Sequence, residues 1–519
     1  MPGGTITKGS DNAPQGIDLI LEKEKPNAWA PGMKKMYFFL FFAFWGSAMN
    51  GFDGSLFGSI YHIPQFSTEF WGHEAESPFI SLLNQLYTLG AIAGAFFAGP
   101  ATDQWGRRKG MAIGAIIVII GTIICATIPT PNGALFGTGR FLCGFGVTIA
   151  STAAPAYVIE IAHPAYRGAI GGIYNTLWFA GNILVTWIAY ATIRLPGSQA
   201  WRLPFWTQLV PAGIVLIGSL IIPESPRWLI SRERPEDARK ILVDLHASGN
   251  ADSELVALEM EEMTASIKVD GTDKRFWDYS GLVSTGAARY RMLMVFFMAF
   301  FGQMSGSNMF SYFGATVLKA AGFSDAAERQ LFNGIQTVVQ FGTSQIGVWA
   351  VNKLGRRSLI IPGTVLFSVW LSVLAAASKF AAPNGVEDES SYNRHWGAVA
   401  VAAMFLFQIT NSIAWTPMQA LYPVECLETT TRAKGMGMNG LILQAAIALN
   451  TFVIPLGIKA LTWKFYFIFI IWDLIEALLM WAFMVETKGL TLEELEDIFQ
   501  APNPKQASLE RQKVIVSEA

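Results

Sequence analysis

Charge is scarce in this chain. Lys, Arg, Asp and Glu make up 15% of 519 residues, against roughly 25% in soluble domains. The 37 basic and 39 acidic residues nearly balance, which argues against the basic surface that nucleic acid requires. Cysteine is rarer still. Cys125, Cys143 and Cys426 form an odd set in or beside apolar runs, so buried thiols are expected rather than a disulfide framework. The five histidines have no zinc-type spacing with the cysteines. No nucleotide loop is present either, so no metal, cofactor or enzymatic activity is expected. The first 35 residues lack the apolar core of a signal peptide.

What the chain has in quantity is apolar length. Hydrophobic residues reach 52%, with 37 Phe, 17 Trp and 49 Gly, a composition suited to closely packed membrane helices with aromatic belts. A span needs about 20 apolar residues. The runs predict spans at 36–60, 79–100, 110–128, 133–158, 168–192 and 203–222, then at 291–317, 329–351, 358–380, 396–421, 436–458 and 463–484. The expected fold is an all-α membrane protein of twelve transmembrane helices in two six-helix halves.

Basic residues set the orientation. Arg107, Arg108, Lys109, Arg167, Arg356, Arg357, Arg432 and Lys434 follow even-numbered spans, and 223–290 is rich in Lys and Arg, whereas 61–78 has none. The positive-inside rule then puts both termini in the cytoplasm; Arg194 and Arg202 weakly dissent. The expected organisation is a disordered cytoplasmic tail (1–35), an N-terminal bundle (36–222), a cytoplasmic helical linker (223–290), a C-terminal bundle (291–484) and a short cytoplasmic helix and tail (485–519). Pro235 and Ser253 or Asp252 mark linker helix starts. Thr491 with Glu494 reads as a capping box for the last helix.

The halves repeat. Gly106-Arg107-Arg108 recurs as Gly355-Arg356-Arg357. Glu160 precedes Arg167 by the same seven residues that separate Glu425 from Arg432, and Pro223-Glu224 and Val485-Glu486 both end a sixth span. Three ordered anchors argue for a duplicated unit. All lie at cytoplasmic span ends. Bridges between the halves are expected from Glu160 with Arg167, Asp103 with Arg107 or Arg108, and Glu425 with Arg432. Such a lattice would hold the inner side shut. The plainer alternative is a set of topology anchors with local ion pairs.

Asp53 lies within the first apolar run, in MNGFDGSLFGSI. A carboxylate at that depth costs several kcal/mol and usually marks an ion or substrate path. Arg140 in the fourth span is its natural partner. Protonating Asp53 would release the pair and bias a two-state transporter; the alternative is a static ion pair that fixes helix packing.

On Asp103-Gln-Trp-Gly-Arg107-Arg108, Gly139-Arg140, Pro155 to Glu160, Arg167-Gly168, the PESPRWL run of Pro223 to Leu229, GQMSGSN at 302–308, Tyr422 to Glu425, Arg432 to Gly435 and VETKG at 485–489, the chain resembles the sugar porters of the major facilitator superfamily. The resemblance spans about residues 35–500. It implies import of sugars or polyols by alternating access, often with a proton, and an acidic residue at the Asp53 position in proton-coupled members. It adds Arg227 and Glu486 to the gate set. Tyr174, Asn175 and Trp178 look like the fungal lactose and cellobiose or cellodextrin permeases, which implies a plasma-membrane disaccharide symporter. Small residues at Gly302 and Ala420 would leave room for a second ring. Asn352 stands where an Asp is usual, so the second-half charge network is expected to be the weaker one.

Sugar hydroxyls need planar amides, and sugar C–H faces need aromatic rings. The candidates are Asn50, Asn175, Trp178, Gln303, Asn308, Tyr312, Gln336, Gln340, Asn411, Trp415 and Gln419. Residues 411, 415 and 419 stack on one face if the helix is continuous. The same amides also serve helix–helix hydrogen bonds. The expected partners are a disaccharide, a proton and the lipid bilayer, with the chain acting as a monomer and no nucleic acid bound. A monosaccharide or polyol carrier is the alternative function. A nontransporting sensor would typically carry a longer tail.

Overall fold

Each expected span coincides with a helix or with a broken helix. The computed structural model describes residues 27–60, 63–71, 78–129, 132–270, 279–320, 323, 325–381, 393–428, 431–488, 490 and 492–518. The first half of the chain contributes α1 (Pro31–Ile60), α2 (Pro64–Trp71), α3 (Pro78–Trp105), α4 (Arg107–Thr127), α5 (Gly133–Ile161), α6 (Arg167–Thr192) and α7 (Gln199–Ile221). Between the halves lie α8 (Pro226–Ser231), α9 (Pro235–Leu245) and α10 (Glu254–Asp270). Pro235 occupies the first turn of α9, and Ser253 immediately precedes α10. The second half holds α11 (Gly286–Phe296), α12 (Ser307–Ala320), α13 (Ala326–Leu354), α14 (Arg356–Ala381), α15 (Arg394–Ala414), α16 (Met418–Cys426), α17 (Arg432–Leu461) and α18 (Tyr466–Phe483). Helices α19 (Leu492–Gln500) and α20 (Pro504–Glu518) follow. Most of the 1–35 tail, the Thr491 cap and the side chains of Tyr312, Asn352 and Ala420 lie outside the described residues.

Among the described residues, seven helical stretches are long and apolar enough to cross a membrane: Arg107–Thr127, Gly133–Ile161, Gln199–Ile221, Arg356–Ala381, Arg394–Ala414, Lys434–Ile458 and Thr462–Phe483. This is an all-α, multi-helix membrane fold. Helices α1, α3, α6 and α13 are as long, at 26 to 30 residues. In α1, α6 and α13 amides, hydroxyls and glycines dilute the apolar run, and α3 carries the shorter apolar stretch Gln85–Gly99. The buried apolar core is divided. One cluster runs from Met294 to Phe499, and the others draw their buried members from residues 33 to 245. Helices α1 and α6 pack backbone to backbone. A Cβ on Gly51 would fall 1.9 Å from the Trp178 carbonyl oxygen, and one on Gly181 would fall 1.9 Å from that of Ala48.

Two expected continuities fail. The seventh span reads as one helix at 291–317. It is instead α11, a π-helical turn (Phe297–Phe301), a short turn (Gly302–Met304), a break at Ser305 and Gly306, and then α12. Gly306 sits at φ +86°, which an L side chain rarely adopts. The tenth span breaks at Trp415 to Pro417, because proline has no N–H to continue the ladder. Residues 411, 415 and 419 therefore do not stack on one continuous face.

Candidate functional site

Asp53 and Arg140 meet. The Arg140 Nη1 donates to Asp53 Oδ1 at 3.0 Å, with side chains 1% and 0% exposed. The guanidinium lies over the Tyr87 ring at 4.6 Å and the Phe57 ring at 5.5 Å. The pair is not saturated: among the described residues, Asp53 Oδ2 and Arg140 Nε have no hydrogen-bond partner. Gln208 of α7, fully buried, faces the carboxylate, yet its own amide atoms make no bond of good geometry. Sequence reading missed Gln208, because its register toward α1 is a tertiary fact. A buried ion pair with spare acceptor and donor capacity is an arrangement that a proton can rearrange.

The amides of the seventh span are partly consumed by its break. Asn308 Nδ2 donates to the Gln303 backbone oxygen at 3.2 Å and to Gln303 Oε1 at 3.1 Å. Asn450 Nδ2 of α17, another residue that sequence reading missed, donates to the same backbone oxygen at 2.7 Å. These bonds satisfy a carbonyl that the broken ladder frees. Gln336 and Gln340 are buried on α13. Asn50 and Trp178 are half-buried on the adjoining α1 and α6, Asn175 is exposed, and Asn411 and Gln419 are half-buried. Trp415 is fully buried, and its Nε1 donates to Thr364 Oγ1 of α14 at 3.0 Å. The room expected at Gly302 is also taken. A Cβ there would lie 2.9 Å from Gln419 Nε2 and 3.3 Å from the Trp415 ring.

The duplicated motifs build two matching clusters. In the first half, Arg107 pairs with Glu160 at 3.0 Å and with Asp103 at 3.3 Å. Ser225 Oγ donates to Glu160. Glu224 accepts the backbone N–H of Arg108 at 3.2 Å, which caps α4, while the Arg108 side chain donates to the Ser219 and Leu220 carbonyls. Burial raises the Glu224 carboxyl above its ordinary value, although the N–H groups of Ser225, Arg108 and Arg107 pull the other way. In the second half, Arg356 pairs with Glu425 at 2.5 Å, and Thr487 Oγ1 donates to Glu425 at 2.5 Å. Glu486 accepts the N–H groups of Arg356 and Arg357, each at 2.9 Å, and caps α14. Arg357 donates to the carbonyls of Trp481 and Met484. Gly106 and Gly355 precede the capped helices at φ +98° and +89°, where an added Cβ would meet the capping carboxylate at 2.2 and 3.0 Å. An anion at a helix N-terminus is favoured by its unpaired N–H groups and dipole.

The expected partners within these clusters need correction. Glu160 is taken by Arg107 rather than by Arg167, and Glu425 by Arg356 rather than by Arg432. Both pairs stay within one half of the chain. The reason is that each arginine opens a helix whose first turn is tied down beside the glutamate. Arg432 Nη2 donates to the Leu427 carbonyl at 3.3 Å. Arg227 and Arg167 are half-buried on the same side. Among the described residues, the hydrogen bonds between the halves lie toward the opposite end. They join Gln85 to the Ala448 carbonyl, Thr186 to Thr337 at 3.3 Å and Gln330 to the Thr186 carbonyl at 3.1 Å. Among the described residues, the hydrogen bonds that join the halves thus gather at the end away from the arginine clusters.

Beneath the clusters sits a latch that sequence reading missed. His246 of α9 bonds Glu259 of α10 at 2.7 Å and the Ile161 carbonyl of α5 at 3.1 Å. The His163 ring lies 5.1 Å from it. Lys35 pairs with Asp244 at 2.5 Å. The linker helices are thereby fixed to the first half.

Comparison with known proteins follows the same outline. The chain is 28% identical over 500 residues to a quinate permease of Neurospora africana, covering 93% of this chain and 92% of the relative. It is 27% identical over 505 residues to the MFS-type transporter qa-x of Neurospora crassa, again covering 93% and 92%. The inward-open structure of the xylose transporter XylE from E. coli superposes with a TM-score of 0.72 at 22% identity, covering 89% of this chain and 99% of that one. The signature described as "Sugar (and other) transporter" matches residues 39–499. With that match across nearly the whole membrane region, the chain belongs to the sugar (and other) transporter family and is a multi-pass membrane transporter, not an enzyme.

Proposed function

We propose that this protein is a proton-coupled symporter that moves a single-ring, polyhydroxylated solute, a monosaccharide or a cyclic polyol such as quinate, by alternating access. The observation that carries the reading is the buried Asp53 and Arg140 pair, held in a chain whose inter-half hydrogen bonds, among the described residues, lie away from the arginine clusters. Protonating Asp53 removes the charge that holds Arg140, and a two-state transporter responds to such a change. The single ring is favoured by the quinate permeases among the relatives and by the filling of the Gly302 space by Trp415 and Gln419. The disaccharide expected from Asn175 and Trp178 is the less supported reading.

The proposal retains twelve spans in two six-helix halves, a cytoplasmic linker and both termini in the cytoplasm of a fungal plasma-membrane protein that works as a monomer. The amides Asn50, Asn175, Gln336, Gln340 and Gln419, with Trp178, are the proposed solute contacts. The Arg107–Glu160 and Arg356–Glu425 clusters are the proposed inner gate, meeting when that side closes. Uptake of labelled xylose, glucose, quinate, lactose and cellobiose into proteoliposomes tests the substrate. Accumulation of a single-ring solute that disaccharides fail to compete supports the reading. Accumulation of lactose or cellobiose instead restores the disaccharide.

A further inference from the structure

An apolar helix long enough to cross a membrane hides two acids. Asp473 and Glu476 lie one turn apart on α18, both side chains 0% exposed, and at a spacing of three residues they share a helix face. All four carboxylate oxygens are buried and without a hydrogen-bond partner among the described residues. Glu476 lies seven residues before Phe483, about 10 Å along the helix axis from the end of α18. Sequence reading passed over both residues inside the twelfth expected span.

Among the described residues, no basic side chain bonds either acid, and the charged group that faces Glu476 is Asp473. Helix α14 faces α18 with apolar residues and Ser368, whose Oγ donates to the Ile470 carbonyl at 3.3 Å. Arg357, at the end of the same helix pair, is committed to the carbonyls of Trp481 and Met484. The π-helical turn of the seventh span brings Phe301 to within 6.0 Å of the Trp472 ring. A donor beside the pair is itself idle: the Trp472 indole N–H faces Glu476 without a bond of good geometry among the described residues.

Two ionised carboxylates cannot share a dry site without a cation; the usual outcome is that at least one holds a proton. A proton on one acid turns an acceptor into a donor, so that one carboxyl can bond the other. We propose that Asp473 and Glu476 form a second proton-binding site, in the second half of the chain, separate from Asp53 and Arg140. The two sites differ in kind: the first pairs an acid with a base, and the second pairs an acid with an acid. This inference does not rest on the solute or on coupling through Asp53.

Infrared spectroscopy of the full chain in lipid nanodiscs tests it through the carbonyl band of protonated carboxyl groups, with transfer into heavy water to identify the exchanging acid. The wild type should show a protonated-carboxyl band at neutral pH that persists in Asp53→Asn and disappears in the double variant Asp473→Asn/Glu476→Gln. Glu476→Gln alone should shift or remove it, and this variant decides the matter if the double variant does not fold. Absence of the band from the wild type, or its persistence unchanged in the Glu476 variants, overturns the site whatever transport shows.

Discussion

At the scale of single residues, position decides what a side chain can do. Gly106 must turn with positive φ and leave space for the Glu224 carboxylate, whereas Gly197, also at positive φ, has open space where a Cβ would go. Gly106→Ala should therefore lower Tm more than Gly197→Ala, by the displacement of the α4 cap in addition to backbone strain of about 1–2 kcal/mol. Equal shifts in a detergent melting assay would mean that the cap contributes nothing. Arg140→Gln leaves Asp53 buried without its cation, and concentrative uptake should fall to background while the protein still inserts. Retained accumulation would show that the pair only fixes packing. Asp53 and Arg140 were legible as lone charges in apolar runs. Asp473 and Glu476 were just as visible and were passed over, whereas Gln208 and Asn450 become informative only through helices far away in sequence.

At the scale of elements, the long helices were readable because runs of about 20 apolar residues have little else to form in a membrane. The breaks were not. Ser305-Gly306 sits inside an apolar run and looks like helix until its φ is known, and the π turn before it leaves no periodic signal. The seven-residue Glu-to-Arg spacing suggested partners that the fold does not use, since each glutamate is met by the arginine that opens another helix. Glu425→Gln removes one half of the proposed gate and should raise labelling of a cysteine placed at the inner mouth. A shift of about tenfold in the open-to-closed ratio corresponds to about 1.4 kcal/mol, within what breaking a half-buried pair can supply. Unchanged labelling in both the Glu425→Gln and Glu160→Gln proteins would remove these clusters from the gate. The latch responds to acid. Burial, His246 and Arg167 lower the His163 pKa to about 4 from 6.5, against the pull of Glu259. The unfolded chain thus binds the proton first, so this contribution to stability is full above pH 6.5 and is lost as pH falls toward about 4. Melting temperature should drop across that window more in the wild type than in His163→Asn. Parallel curves would dissociate His163 from the acid response.

At the scale of the molecule, the chain is a membrane transporter of the sugar (and other) transporter family. Among the described residues, hydrogen bonds join the halves at one end, each arginine cluster pairs within its own half at the other, and a buried ion pair lies within the first half. Sequence shows the repeated motifs and the charged helix ends; it does not tell where the halves meet, because that depends on contacts between helices that no local pattern encodes. The central claim is that Asp53 couples solute to protons. The most direct measurement is uptake into proteoliposomes, with and without an imposed pH gradient, by the wild type and Asp53→Asn, alongside solute exchange at equal pH. The account expects the gradient to drive accumulation in the wild type and not in the variant, with exchange in the variant retained. Gradient-driven accumulation by Asp53→Asn would contradict it.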